Sequence, residues 1–243
     1  MNLLTEHSFG ELIKDSFLIY FKNFGTIYLI FFLPFIPVGI WQCYALIKAD
    51  FVHIVISQVF WLMLSIFLTI VVASALSDIC LGNKPTLRRA YGRATPVFGR
   101  YLWTQFLVML IVLGGYLLLI IPGIFFSAFY MLFAPIVILE NLSGANALKR
   151  SKELGKGFYL RNILATATFF VLFYLWIFVQ ISILSDIVQS IGINDPYLIF
   201  MMSGIISLIP APLISIIMIL IYYDLRVRKE SYDTDMLTQD MVR

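Results

Sequence analysis

Between Pro122 and Asn162 the chain reads PGIFFSAFYMLFAPIVILENLSGANALKRSKELGKGFYLRN. A Pro-Gly pair opens an apolar run that holds a further proline, Pro135. Glu140 follows where the run ends. A short basic amphipathic segment comes next and leads into another apolar run. This order predicts a membrane exit, a helix lying flat on the inner face, and a re-entry. Water-soluble folds are excluded by composition: of the 243 residues 61% are hydrophobic and only 13% charged, against about 25% charged in a soluble domain. One soluble core could not hide that much apolar surface, so lipid must serve as part of the solvent. A crossing needs roughly 20 mainly apolar residues, and runs of that kind fill most of the chain. No space remains for a separate soluble domain of about 100 residues or more.

The fold class this predicts is all-α. The chain is a polytopic membrane protein of six transmembrane helices, paired as three hairpins, with three amphipathic interfacial helices on the cytoplasmic side. The spans are expected over 24–47, 51–77, 101–120, 124–139, 159–185 and 197–223. Proline in a span predicts a kink, here at Pro34 and Pro37, at Pro135, and at Pro210 and Pro212. Pro122-Gly123 is read as a tight turn between the third and fourth spans. The interfacial helices are expected over 8–22, 82–101 and 143–158, where apolar residues fall at helical spacing opposite charged ones. Ser8 and Glu11 have capping-box spacing. Pro96 is expected to bend or end the second of these helices. The polar tail, 231–243, is expected to be mobile at its end.

Charge sets the orientation. Lysine and arginine concentrate in short cytoplasmic loops. With the N-terminus inside, Lys48 alone of the 17 basic residues falls outside. Both termini are therefore expected in the cytoplasm, with the chain in the bacterial plasma (inner) membrane. Glu6, Glu11 and Asp15 stand where a cleavable signal would be basic, so no cleaved leader is expected. The net charge of +3 is too small to point to nucleic acid.

The unit of amphipathic helix, two spans and an exit carboxylate occurs three times, over 1–80, 81–142 and 143–230, within a single membrane domain, 1–243. The exits align as Asp78, Glu140 and Asp224. Two of them share a finer pattern: Asp78, Gly82, Leu87 and Arg88-Arg89 against Glu140, Gly144, Leu148 and Lys149-Arg150. Any three hairpins with basic inner loops look alike, and the shared carboxylates are what raise the repeat above that.

No nucleophile elbow, P-loop, HExxH or CxxC occurs. Cys43 and Cys80 are expected near opposite faces, as small buried hydrophobes rather than a disulfide. His7 and His53 are likewise expected on opposite faces, which argues against zinc. No charge lies deep in a span, which argues against an ion or proton relay. No catalytic residue, cofactor or metal is expected. The candidate polar cluster at the cytoplasmic face is Asp78, Glu140, Asp224, Arg88, Arg89, Lys149, Arg150 and Arg226. It has two readings: a site for a headgroup or partner, or ion pairs that fix the flat helices against the spans. The second is preferred. The basic faces also suit anionic headgroups, at about 1 kcal/mol per basic residue near the surface.

The strings IPGIFFSAFYMLFAPIVILEN, GANALKRSKELGKG and LIYYDLRVRKESYD resemble the membrane domain carried by some bacterial glycerophosphoryl diester phosphodiesterases, and related six-span bacterial membrane proteins of unknown function. The resemblance covers about residues 80–235, with a fainter match over the N-terminal helix. Ser231 stands where that pattern has glycine. The resemblance implies a stand-alone inner-membrane module and no catalysis, because the diesterase activity belongs to a separate barrel of about 250 residues. The function expected is that of a non-catalytic accessory or scaffold module. Its partners would be membrane lipids, a protein partner or a second copy. A transporter or lipid-translocating protein is the alternative.

Overall fold

A computed structural model describes residues 6–48, 50–190, 192 and 196–242, and over these the chain is helical, with no strand. The helices in order are α1 (Phe9–Lys22), α2 (Phe24–Phe32), α3 (Phe35–Ile47), α4 (Phe51–Cys80), α5 (Leu87–Leu118), α6 (Ile120–Tyr130), α7 (Phe133–Leu139), α8 (Gly144–Gly155), α9 (Tyr159–Ser190), α10 (Pro196–Ser207), α11 (Ala211–Glu230) and α12 (Thr234–Val242). Four stretches among the described residues are long and apolar enough to cross a membrane: Phe51–Cys80, Leu87–Leu118, Ile120–Leu139 and Val171–Ser190. The pair α2 and α3, bent by 46°, adds a fifth when the two are counted as one span. The expected sixth span is divided between α10 and α11 by a break at 208–210.

α1 forms where the capping box predicts. Ser8 Oγ accepts from the Glu11 N–H, and Glu11 Oε2 accepts from the Ser8 N–H. Its inner face buries Leu12, Ser16, Ile19 and Tyr20. Asp50 caps α4 by accepting from the N–H groups of Val52 and His53.

Proline explains each broken helix, because it cannot donate to the carbonyl four residues back and its ring crowds that carbonyl. Pro34 and Pro37 leave Ile30 and Leu33 without that donor, and the helix breaks between Phe32 and Phe35. Pro135 does the same to Met131, at the break between α6 and α7. Pro212 does it to Leu208, at the break before α11. A carbonyl at or near each break accepts a hydroxyl from a distant element. Tyr91 of α5 donates to Ile30 O at 2.8 Å. Ser151 of α8 donates to Phe129 O at 2.8 Å. Tyr20 of α1 donates to Ile209 O at 2.7 Å. Such side-chain donors are what make a broken helix tolerable in lipid.

Two expectations need correction. Segment 82–101 is no separate interfacial helix: α5 runs from Leu87 to Leu118 straight through Pro96. Gly92, whose carbonyl loses its donor, is exposed, as is Pro96, so water can take that carbonyl. The turn before α6 is not at Pro122-Gly123. It is at Leu119, whose backbone is extended (φ −163, ψ 151), and the Pro-Gly pair lies in the first turn of α6. There proline costs no helical bond. Gly123 instead lets α6 approach α5, since a Cβ on it would fall inside the Tyr116 ring. The tail carries α12, which packs Leu237 into the core beside buried Tyr232; its last residue lies outside the described residues.

Candidate functional site: the polar end of the bundle

α11 organises the site. From Ile219 to Arg226 every residue is buried, so its polar groups must find partners. Tyr223 shares a hydrogen bond of 3.0 Å with Ser77 Oγ, beside Asp78 on α4. The Tyr222 hydroxyl donates to Glu140 Oε1 at 3.0 Å. These two tyrosines bring the exits of α4, α7 and α11 to one place, so Asp78, Glu140 and Asp224 share one end of the bundle.

Each exit carboxylate accepts from at least one arginine. Asp78 Oδ1 accepts from Arg93 Nη1 of α5 at 2.9 Å. Glu140 Oε2 accepts from Arg150 Nε of α8 at 2.7 Å. Asp224 is fully buried and takes three donors: Arg161 Nη1 at 2.6 Å, Arg228 Nε at 2.9 Å, and the His7 N–H at 2.7 Å, just before α1. Arg228 also bonds Glu6 and the His7 carbonyl.

A ring of charge closes around Arg226. Arg150 bridges Glu140 and Glu230, and Arg226 bridges Glu230 and Asp240. Arg226 also donates to the Tyr222 hydroxyl and lies over the Tyr232 ring at 3.8 Å. The Tyr232 hydroxyl donates to Asp240 at 2.8 Å. Burial alone would raise the Glu230 carboxyl, but the bonds from Arg226 and Arg150 outweigh it and hold the group below its ordinary 4.5. Burial and the Asp240 carboxylate both push the Tyr232 hydroxyl far up.

Of the eight residues expected in the cluster, Asp78, Glu140, Asp224, Arg150 and Arg226 join this end. Arg88, Arg89 and Lys149 do not: all three are exposed. The two aligned glycines both have left-handed backbone, Gly82 at φ +74 and Gly144 at φ +57. They serve differently, since Gly82 follows α4 and Gly144 opens α8, donating its N–H to Thr104 Oγ1 at 2.8 Å. Composition gave no notice of Arg93, Arg161, Tyr222, Tyr223, Tyr232, Glu230 or Asp240. The tyrosine pair beside Asp224 was the available signal, because two hydroxyls that deep in an apolar run must be bonded.

Two cavities flank α5. The larger, about 390 Å³, lies among the apolar helices and is lined mainly by side chains such as Val108, Met131, Ile217 and Met218, with Gln105 and Ser127 among them. The smaller, about 300 Å³, opens at the polar end.

Long apolar helices, proline breaks sealed by hydroxyls and a polar end define an all-α polytopic membrane protein. The chain is similar to the UPF0259 membrane protein of Pectobacterium carotovorum subsp. carotovorum, with 31% identity over 134 residues, 55% of this chain and 50% of that protein. The match thus spans about half the length of that curated relative. It supports kinship with an uncharacterised family of bacterial membrane proteins and does not reach the phosphodiesterases that the exit motif resembles. No family model matches the chain, and no solved structure matches it.

Proposed function

We propose that the protein is a non-catalytic module of the bacterial inner membrane. It crosses six times with both termini in the cytoplasm, and serves as an accessory or scaffold that engages lipid headgroups or a protein partner. The observation that carries this reading is the use made of the exit carboxylates. Asp78, Glu140 and Asp224 are spent on arginines and a backbone N–H that tie surface segments to spans. Groups committed in this way brace the helices against one another as a platform. Exposed Arg88, Arg89, Lys149, Lys152 and Lys156 on the same segments supply a basic face for headgroups. Purification in native lipid, followed by mass spectrometry of bound phospholipid and protein, tests the proposal. Retention of either supports it. A turnover activity in the isolated chain with neither retained overturns it.

The second reading is a transporter or lipid-translocating protein, motivated by the broken helices. The larger cavity between the helices is apolar, which suits this reading poorly, because solute pathways need polar lining.

A further inference from the structure

The smaller cavity is walled by α4, α5, α7, the loop after α7 and α12, through Ser74, Ser77, Arg93, Arg100, Asn141 and Asp240 among others. Its charges are unequally engaged. Arg93 gives one N–H to Asp78, and Asp240 is bound to Arg226 and Tyr232. Arg100 gives Nη1 only to a backbone carbonyl, that of Asn141, at 3.3 Å. A guanidinium has five donors in a planar fork, so most of the donors of Arg93 and Arg100 remain for a guest. The two lie seven residues apart on one face of α5, and exposed Arg89 stands one turn before Arg93 on the same stripe. The stripe leads anions inward. A cavity of about 300 Å³ is at the small end of ligand sites.

We propose that this cavity binds a phosphate group, held by the guanidinium of Arg100 with Arg93 as its second donor. Planar forked donors match phosphate oxygens in pairs. The bound phosphate gives Arg100 an anionic partner beyond the one carbonyl it meets among the described residues. The guest enters from the polar end with its phosphate alone. Buried Tyr101 packs on Phe133, with ring centroids 5.4 Å apart, and Phe133 lines the apolar cavity, which shares no lining residue with this one. The phosphate therefore belongs either to a lipid headgroup or to a small soluble phosphate. The inference deepens the headgroup reading above and names its site.

The test uses the full chain in phosphate-free buffer. Inorganic phosphate and methyl phosphate are titrated by calorimetry against protein delipidated into a phosphate-free maltoside detergent. Separately, phosphatidylglycerol retained through delipidation is counted. Saturable binding of the soluble probes assigns a soluble source, and retained phosphatidylglycerol without it assigns the headgroup. In either arm Arg100→Gln should weaken binding about tenfold or more, the loss expected of a charge-assisted pair. Arg100→Lys, which keeps the charge but loses the planar fork, should weaken it less than Arg100→Gln. An unfolding midpoint unchanged from the parent in both variants separates a lost contact from a folding defect. If neither arm depends on Arg100, the proposal is overturned. Failure here leaves the scaffold reading standing if lipid or protein still co-purifies in an Arg100-independent manner.

Discussion

The two halves of α4 are alike in composition and opposite in surroundings. From Phe51 to Phe60 nearly every side chain is partly or wholly exposed, with Phe51 at 76%. From Leu68 to Asp78 all but Thr69 are buried, on every side of the helix. The second half is enclosed by α5, α7 and the end of α11; Arg93 of α5 pairs with Asp78 at the end of this half, and Glu140 after α7 is bonded by Tyr222 of α11. The contrast teaches that apolar composition assigns a helix to lipid or protein only loosely. The polar end decides which part of each helix the protein itself encloses.

The largest test of that contrast removes an anchor. Asp224→Ala leaves Arg161 and Arg228 without their buried counter-ion and should cost about 3–5 kcal/mol, as broken buried pairs do. Thermal or SDS unfolding in mild detergent measures it, and a cost below about 1 kcal/mol would mean the polar end is not what closes the bundle. Next comes a matched pair on α4 itself. Leu68→Ala, at a fully buried site, should cost about 2–5 kcal/mol. Leu62→Ala, 54% exposed, should stay within about 0.5 kcal/mol. Equal costs would abolish the distinction between the halves. A smaller and opposite effect is expected at Ser231, whose backbone is left-handed (φ 51, ψ 41) where α11 ends. Ser231→Gly should stabilise by about 1 kcal/mol, and no gain would mean that α12 relieves the strain by moving. The smallest effect is in pH. Glu230 has its carboxyl depressed in the folded state, so its contribution is present above its ordinary range and is lost as pH falls through the folded value. Unfolding midpoints should therefore fall on acidification, and Glu230→Gln should show a shallower fall than the parent.

Much of the layout is legible in the chain because its signals are local. Ser8 and Glu11 are three residues apart and make the capping box of α1 by themselves. Pro37, Pro135 and Pro212 each mark a break four residues upstream, by a steric rule that needs no partner. Pro96 misleads for the opposite reason. Its cost depends on whether the carbonyl of Gly92 can find water, and only the packed structure decides that. The polar end was half legible. The exit carboxylates stand out against apolar runs, but their partners come from distant sequence: Glu140 with Tyr222, Asp224 with Arg161 and His7. No periodicity encodes such pairings. The helix 234–242 is short and polar, and its position is set by Asp240 reaching Arg226 rather than by propensity. Arg88, Arg89 and Lys149 resemble members of the cluster in sequence because charge near an exit looks alike whether it turns inward or faces water.

The bonds that join His7 to Asp224 and Tyr20 to Ile209 have a consequence for biosynthesis. The ribosome delivers His7 217 residues before Asp224, at about 5–20 residues per second. Throughout that interval the buried face of α1 lacks its final neighbour. Earlier helices can enter the bilayer as they emerge, but the sealed bundle cannot form until α11 has been made. Closure therefore waits on α11 and draws together segments far apart along the polypeptide.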